Sequence, residues 1–268
     1  MKTLTFSLIF TFTIFCTSTA QTLDTLIDVG THKLHFKIIK GSRTPILFEA
    51  GNGDDGSVWE PIVNEIHKAT QATIITYDRA GLGLSEIDTT TISFQQEIKD
   101  LETALIKLGF NDGIMNVSHS FGGFYSILFA SKNPSKIKGA VFIDTALPCS
   151  MTQEWSQNFI SNISEEDWKL IKTHKIGLYY VLKNLSDISN YMSNKTLPAA
   201  LPVTIIGAEI QQPYLTPNEQ QQWIDCQEAF GALPNHKYVQ AQGAHHKIWK
   251  DKPQLVIDEI VQMYNRVN

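Results

Sequence analysis

The chain has 268 residues, of which 43% are hydrophobic and 18% are charged. This is enough apolar side chain for one sizeable core, too little length for two comfortable domains, and a composition that excludes disorder. The 22 basic and 27 acidic residues give a formal charge of -5 without any run of lysine or arginine, which argues against nucleic acid as a partner.

The first twenty residues differ in composition from the rest. Lys2 precedes an apolar stretch over residues 4–15, and small residues follow up to Ala20. This pattern is typical of a secretory signal peptide and predicts cleavage after Ala20 and a secreted or periplasmic location. The apolar stretch is well short of the roughly 20 residues that a spanning helix needs, so we expect no stable membrane anchor. Lipid attachment at Cys16 is disfavoured by the bulky Phe15 before it.

Residues 21–268 are predicted to form one domain in which strands and helices alternate. Strands are indicated by alternating or continuous apolar runs, and helices by apolar residues spaced three and four apart. In chain order the predicted elements are strands 34–38 and 45–50, helix 59–66, strand 72–77, helix 93–108 with a capping box at Ser93 and Gln96, strand 114–118, helix 121–133, strand 138–143, strand 203–206, helix 218–230, strand 237–240 and helix 253–266. The alternation predicts an α/β fold with a mostly parallel sheet covered on both faces.

The alternation is interrupted over residues 148–201, a segment with helical character, no strand pattern and many aromatic residues. An insertion that leaves the sheet order undisturbed predicts a helical cap or lid. Its aromatic side chains either line an apolar pocket or form a small satellite core. The two cysteines outside the predicted signal, Cys149 and Cys226, form a disulfide or remain buried thiols, because the sequence does not place their Cα atoms.

The strongest functional signal lies at a predicted strand-to-helix junction, Ser118-His119-Ser120-Phe121-Gly122. A nucleophilic hydroxyl must protrude from the backbone, and a sharp turn from strand into helix achieves this with small residues two positions away on either side. Such a pattern also arises by chance, but its position after an apolar run and before a helical one is the required context. We therefore predict Ser120 as the nucleophile and His119 as a structural residue.

A neutral hydroxyl needs a base, which we expect to be a histidine after the last strand. His245 and His246 both lie there, and exposure of both in a loop is the alternative. The acid that orients the base is predicted to be Asp144, which directly follows strand 138–143 at the carboxyl edge of the sheet. Glu209, after strand 203–206, is the alternative acid.

Acyl transfer also needs donors aimed at the developing oxyanion. We predict the backbone N–H groups of Phe121, at the start of a helix, and of Asn52, in the glycine-rich turn after strand 45–50. Asp54 and Asp55 in this turn lack the alternate-residue spacing of a calcium loop and are predicted to be turn residues. No metal and no organic cofactor are expected.

These motifs together resemble the α/β-hydrolase fold superfamily of esterases, lipases and C–C hydrolases over nearly all of residues 21–268. The resemblance is carried by the turn at 48–53, the segment Tyr-Asp-Arg-Ala-Gly-Leu-Gly-Leu-Ser at 77–85, the Ser120 junction and residues 246–253. The family commonly places the base histidine seven residues before the proline that starts the last helix, which implies that His246 is the base.

The resemblance also bears on the acid and on the cap. Residues 144–148 are similar to the acid segment of secreted lipases, after the sixth strand, where the resemblance also places the helical cap. Most relatives instead carry an aspartate after the seventh strand, where this chain has Ile210, so Asp144 and Glu209 both stay open.

A serine nucleophile argues against epoxide hydrolase and haloalkane dehalogenase activity, because those enzymes of this fold use an aspartate where this chain has Ser120. The resemblance implies a secreted serine hydrolase of carboxylesterase type that acts on a small-molecule acyl substrate through an acyl-enzyme. A peptidase or amidase is one alternative, and a binding protein without turnover is another. Acidic residues of the insertion could anchor a peptide amine; these are Glu154, Glu165, Glu166 and Asp167. Neither the substrate nor the oligomeric state is predicted by the sequence.

Overall fold

The computed structural model describes residues 21–268, so the predicted signal peptide lies outside the described residues. Eight strands form one sheet in the order β1-β2-β4-β3-β5-β6-β7-β8. They are β1 (Thr22–Asp28), β2 (Lys33–Ile39), β3 (Arg43–Glu49), β4 (Ala72–Tyr77), β5 (Ile114–His119), β6 (Ile137–Ile143), β7 (Val203–Ala208) and β8 (His236–Ala241). The pairings β1–β2 and β2–β4 are antiparallel, and the pairings among β3 to β8 are all parallel. The predicted α/β fold with a mostly parallel sheet is confirmed.

Helices cover both faces of the sheet. They are α1 (Glu60–Thr70), α2 (Phe94–Lys107), α3 (Gly122–Lys132), α4 (Gln153–Ser161), α5 (Glu165–His174), α6 (Ile176–Lys183), α7 (Leu185–Met192), α8 (Pro217–Gly231), α9 (Ile248–Asp251) and α10 (Pro253–Val267). Helices α1, α9 and α10 pack on one face, against a core that contains Val117 and Val141. Helices α2, α3 and α8 pack on the other, against a core that contains Leu47 and Phe142. Burial of both sheet faces explains why the central strands are continuous apolar runs.

Two local predictions were incomplete. The edge strand β1 was not predicted. Its residues are alternately exposed and half-buried, so it lacks a fully buried face. Three of its seven residues are threonine or aspartate with exposed side chains, which weakens the apolar pattern further. The capping box predicted at Ser93 is only half formed. Ser93 Oγ accepts the N–H of Gln96, but the Gln96 amide donates to Asp100 instead of returning to Ser93. A complete capping box, from Thr216 and Glu219, begins α8.

The insertion between β6 and β7 contains the helices α4 to α7. Helices α4 and α7 lie side by side, and the hydroxyls of Ser156 and Ser189 form a buried hydrogen bond of 2.7 Å between them. Apolar side chains of α6 and α7 join the main core on one face of the sheet, among them Val181, Leu185 and Met192. The insertion is therefore packed on the body of the domain.

A disulfide joins Cys149, at the start of the insertion, to Cys226 in α8, with the two Cα atoms 5.8 Å apart. Of the two alternatives for Cys149 and Cys226, the structure has the disulfide and not the free thiols. Over residues 21–268, none of the helices combines the length and apolar character needed to span a membrane. The carboxyl ends of β3 to β8 lie at one edge of the sheet, and the loops that follow these strands carry the predicted site residues.

Candidate active site

Ser120 lies between the last residue of β5 and the first residue of α3, with a backbone φ of +52°. A left-handed conformation is strained for a serine, and such strain is concentrated at functional turns. Close packing explains the glycines that follow. A Cβ on Gly122 would lie 2.6 Å from the carbonyl oxygen of Ala50, and one on Gly123 would overlap Thr145. Ser120 is partly exposed at this turn, as a nucleophile requires.

Ser118 lies two residues before Ser120, at a position where a nucleophilic serine turn between strand and helix usually has glycine. It is fully buried in β5, and its hydroxyl finds no hydrogen-bond partner. An unpaired buried hydroxyl costs free energy. Serine is therefore small enough to fit at this position of β5, but among the described residues its hydroxyl makes no hydrogen bond.

Asp144 and His246 are hydrogen-bonded, with 2.6 Å between Asp144 Oδ2 and His246 Nδ1. Asp144 is 1% exposed and follows β6 with a φ of +42°, while His246 lies in the loop between β8 and α9. The aspartate engages Nδ1 and so leaves Nε2 for a reacting group. The turns of Ser120 and Asp144 are also joined, because Ala146 N–H donates to the Ser120 carbonyl at 3.0 Å. Among residues 21–268, His246 has no hydrogen bond to the Ser120 hydroxyl, and in proteins without substrate such bonds often form only when substrate binds.

The two alternatives for acid and base lie elsewhere. Glu209 accepts the N–H of Gly243, and within residues 21–268 it forms no hydrogen bond or ion pair with His246. His245 is exposed over 67% of its side chain and pairs with Asp251 through Nδ1 at 3.1 Å. The structure therefore brings together Asp144 and His246, and it separates Glu209 and His245 from them.

The other oxygen of Asp144 is held by α8. Asp144 Oδ1 accepts from Trp223 Nε1 at 3.0 Å and from Gln227 Nε2 at 3.1 Å. The backbone N–H of Ala208, at the end of β7, lies 3.4 Å away. The buried carboxylate is thus surrounded by donors. Trp223 and Gln227 were missed by the sequence analysis, because no local pattern marks a contact across 79 or 83 residues.

The turn after β3 lies directly against the nucleophile. A Cβ on Gly51 would lie 3.3 Å from Ser120 Cβ. Within the described chain, the backbone N–H groups of Asn52 and Phe121 donate to no other group. The structure therefore places both predicted oxyanion donors beside Ser120, with free N–H groups at the two turns.

The family comparison agrees with this architecture, since residues 44–166 match the family model described as alpha/beta hydrolase fold. The chain has the α/β-hydrolase fold. The protein YqjL of Bacillus subtilis (strain 168) is 28% identical over 227 residues, which are 83% of this chain and 84% of that protein. Methylesterase 9 of Arabidopsis thaliana is 31% identical over 156 residues, 51% of this chain and 59% of that protein. The esterase EaEST from Exiguobacterium antarcticum superposes with a TM-score of 0.68 at 15% identity, covering 91% of this chain and 100% of that one.

In this fold, Arg79 fixes the turn that carries Asn52. Its guanidinium donates to the carbonyls of Ala50 at 2.6 Å and of Gly51 at 2.5 Å, and to Glu49 Oε1 at 2.6 Å. The Gly51–Asn52 peptide is trans, so a carbonyl directed to Arg79 turns the Asn52 N–H away from it. Burial by itself would lower the pKa of Arg79, but the charge of Glu49 together with Tyr125, Tyr77 and Glu97 outweighs this effect and raises the pKa. In the sequence, Arg79 is marked only as part of the segment 77–85 that carries the family resemblance, and nothing there indicates its contact with the Asn52 turn.

His119 is buried beside the loop that carries His246. Its Nε2 donates to the His246 carbonyl at 3.1 Å, and its ring lies 4.4 Å from that of His246 and 4.6 Å from that of Trp249. Burial, followed by the neighbouring His246, lowers the pKa of His119 well below its usual value. His119 therefore stays neutral and supports the loop of His246, which agrees with a structural role.

The start of α6 lies beside the Asn52 turn. Lys175 Nζ donates to the Gly53 carbonyl at 2.7 Å, and Gly177 N–H donates to the Gly81 carbonyl at 3.1 Å. A Cβ on Gly53 would lie 3.0 Å from Leu178 of α6. The insertion therefore contacts the loops that border Ser120.

The acidic residues near the site have structural partners. Asp54 forms an ion pair of 2.8 Å with Lys247, which links the Asn52 turn to the His246 loop. Asp55 accepts the N–H of Ser57 and so begins a short 3-10 turn. Between Gln21 and Asn268, no group of three or more His, Cys, Asp or Glu side chains is arranged to hold a metal ion.

Proposed function

We propose that this α/β-hydrolase is a serine hydrolase that cleaves a carboxylic ester, or a similar acyl bond, through an acyl-enzyme. The observation that carries the proposal is the hydrogen bond of 2.6 Å between His246 Nδ1 and Asp144 Oδ2, next to a serine at φ +52°. An imidazole oriented by a buried carboxylate is the base that a serine nucleophile requires. The similarity to Methylesterase 9 is consistent with ester chemistry.

In the first half of the reaction, Ser120 Oγ attacks the substrate carbonyl carbon while His246 Nε2 takes the hydroxyl proton. The carbonyl oxygen becomes an oxyanion, which accepts hydrogen bonds from the N–H groups of Asn52 and Phe121. His246 then gives the proton to the leaving alcohol, and the carbon–oxygen bond breaks to leave the acyl group on Ser120. Asp144 stabilises the imidazolium throughout.

In the second half, water attacks the acyl-enzyme with His246 as base. The tetrahedral intermediate collapses, the carboxylic acid leaves, and the proton returns to Ser120 Oγ. Lys175, just before α6, and Leu178 in α6 contact the Asn52 turn, and we propose that the insertion covers the acyl substrate. The disulfide Cys149–Cys226 is consistent with export into an oxidising compartment, as the predicted signal peptide implies.

The peptidase alternative has weaker support. Glu154 lies in the first turn of α4, and Glu165, Glu166 and Asp167 lie in the first turn of α5, where acidic residues stabilise a helix. Asp167 also contacts the capping residue Ser164. Helix stabilisation thus accounts for these side chains without a substrate amine.

Turnover of p-nitrophenyl esters of different acyl lengths tests the proposal. We expect hydrolysis by the wild-type protein and loss of at least about a thousandfold in kcat for Ser120→Ala. Ser118→Ala is the matched control, because its hydroxyl has no partner, and it should keep kcat within about twofold. Turnover of aminoacyl nitroanilides in preference to esters would instead establish the peptidase. Equal activity of wild type and Ser120→Ala would refute a serine mechanism.

A further inference from the structure

The buried carboxylate of Asp144 has two oxygens with different partners. Oδ2 faces His246, while Oδ1 faces the indole N–H of Trp223 and the amide of Gln227. Trp223 is 5% exposed and Gln227 is 1% exposed, so water does not compete for these bonds. In the described residues Asp144 forms no ion pair with lysine or arginine. Neutral donors therefore surround Oδ1 on the side away from His246; the two shorter bonds come from α8, and the backbone N–H of Ala208 lies farther away at 3.4 Å.

The two donors are four residues apart on α8, which places them on one face of the helix, one turn apart. Gln227 Nε2 also lies 3.2 Å from the carbonyl of Thr145, so it contacts both the side chain and the following backbone of Asp144. Asp144 has a left-handed backbone conformation, which surrounding contacts must maintain. Helix α8 supplies some of those contacts, beside the bond of 2.7 Å from the Asp144 N–H to the Ile206 carbonyl.

The same helix is tied to the chain after Asp144 by a covalent bond. The disulfide partner Cys226 stands between Trp223 and Gln227 in α8, and Cys149 lies five residues after Asp144. The two segments whose contact fixes the carboxylate are thus cross-linked to each other. The cross-link restricts movement of α8 away from the chain that follows Asp144.

We propose that Trp223 and Gln227 are positioning residues that orient the Asp144 carboxylate toward His246; this rests on the proposed serine hydrolase function. An indole N–H can only donate a hydrogen bond, so its partner Oδ1 must accept and cannot turn a proton toward it. With Oδ1 fixed by two donors, rotation of the carboxylate away from His246 would break both bonds. The imidazolium formed during catalysis therefore meets a preoriented negative charge.

The test is a double-mutant cycle on kcat with p-nitrophenyl ester substrates. Trp223→Phe keeps the ring and removes the donor, and Gln227→Met keeps the length and removes the amide. We expect each to lower kcat about tenfold with KM within about twofold. In the Asp144→Asn background the same substitutions should change kcat less than twofold, because the charge they position is gone. Gln221→Met is the control on the same helix, since its exposed amide contacts Asp225.

Two results would overturn the inference. One is a kcat within twofold of wild type for both single variants, and the other is an equal loss in the Asp144→Asn background, which is what a merely structural role would produce. If Trp223→Phe does not fold, Gln227→Met completes the cycle alone. The proposed function fails separately, through Ser120→Ala that retains turnover. Wild-type turnover that depends on Ser120 but not on Trp223 or Gln227 rejects only the inference.

Discussion

The guanidinium of Arg79 donates to the carbonyl oxygen of Gly51 at 2.5 Å, one residue before Asn52. Because Arg79 also binds Glu49 and the Ala50 carbonyl, a single buried side chain fixes three consecutive residues at the end of β3. The direction of the Asn52 N–H, and with it one half of the proposed oxyanion hole, depends on this contact.

Arg79→Lys should therefore lower kcat for ester hydrolysis by about tenfold or more. A lysine ammonium is a point charge and does not reproduce the planar set of donors that reaches Glu49 and two carbonyls together. Tyr125→Phe is the control, because it removes a hydroxyl bound to Glu97 and keeps the ring over which the guanidinium lies at 4.6 Å. Equal losses in the two variants would contradict a specific role for Arg79, as would wild-type kcat in Arg79→Lys.

The identity of the acid can be decided by two conservative substitutions. Asp144→Asn should lower kcat by roughly a thousandfold or more, because an amide does not stabilise the imidazolium of His246. Glu209→Gln should stay within about twofold, since its side chain can still accept the N–H of Gly243. Both are measured as kcat with the same ester. Loss of turnover in Glu209→Gln alone would show that the acid is Glu209.

The sheet and the order of the site residues could be predicted from the sequence, because both are recorded in local patterns. Buried runs such as 72–77 identify central strands, and the carboxyl ends of parallel strands meet at one edge, which is where Asn52, Ser120 and Asp144 lie. The choice of His246 over His245 depended on the spacing to Pro253 that the resemblance supplied. Local sequence patterns identify the candidate acids and bases, and the structure shows that Asp144 and His246 are the pair in contact.

The partners of these residues could not be predicted. Trp223 and Gln227 approach Asp144 only because α8 packs beside β7, and Arg79 reaches Gly51 only because β3 and β4 are adjacent. Such contacts arise from tertiary packing and leave no periodicity in the sequence. The edge strand β1 was missed for a related reason, because a strand with one weakly buried face carries few apolar residues.

The disulfide should contribute substantially to stability. It closes a loop between residues 77 apart, for which the loss of chain entropy in the unfolded state corresponds to about 4 kcal/mol. Urea unfolding of the wild-type protein with and without reductant should show this difference. The double variant Cys149→Ser and Cys226→Ser should unfold like the reduced protein and be insensitive to reductant. A variant as stable as the oxidised wild type would contradict the prediction.

Stability should also depend on pH through Glu97. Burial, only partly offset by the hydrogen bond from Tyr125 and by the charge of Arg79, raises the pKa of Glu97 to about 7. The folded protein then binds more protons than the unfolded chain between pH 4.5 and about 7, so this group's contribution falls as pH rises through that window. Glu97→Gln mimics the neutral acid and should stabilise the protein at pH 8 by about 1–3 kcal/mol but hardly at pH 4.5. Thermal unfolding at the two pH values measures this, and an equal effect at both would contradict it.

The most direct measurement of the central claim is covalent labelling of the purified protein with a fluorophosphonate, followed by peptide mapping. An activated serine reacts with this probe and an ordinary one does not. We predict a single adduct on Ser120, and much slower labelling in His246→Ala and Asp144→Asn. A wild-type protein that stays unlabelled, or that is modified at a different residue, would contradict the account.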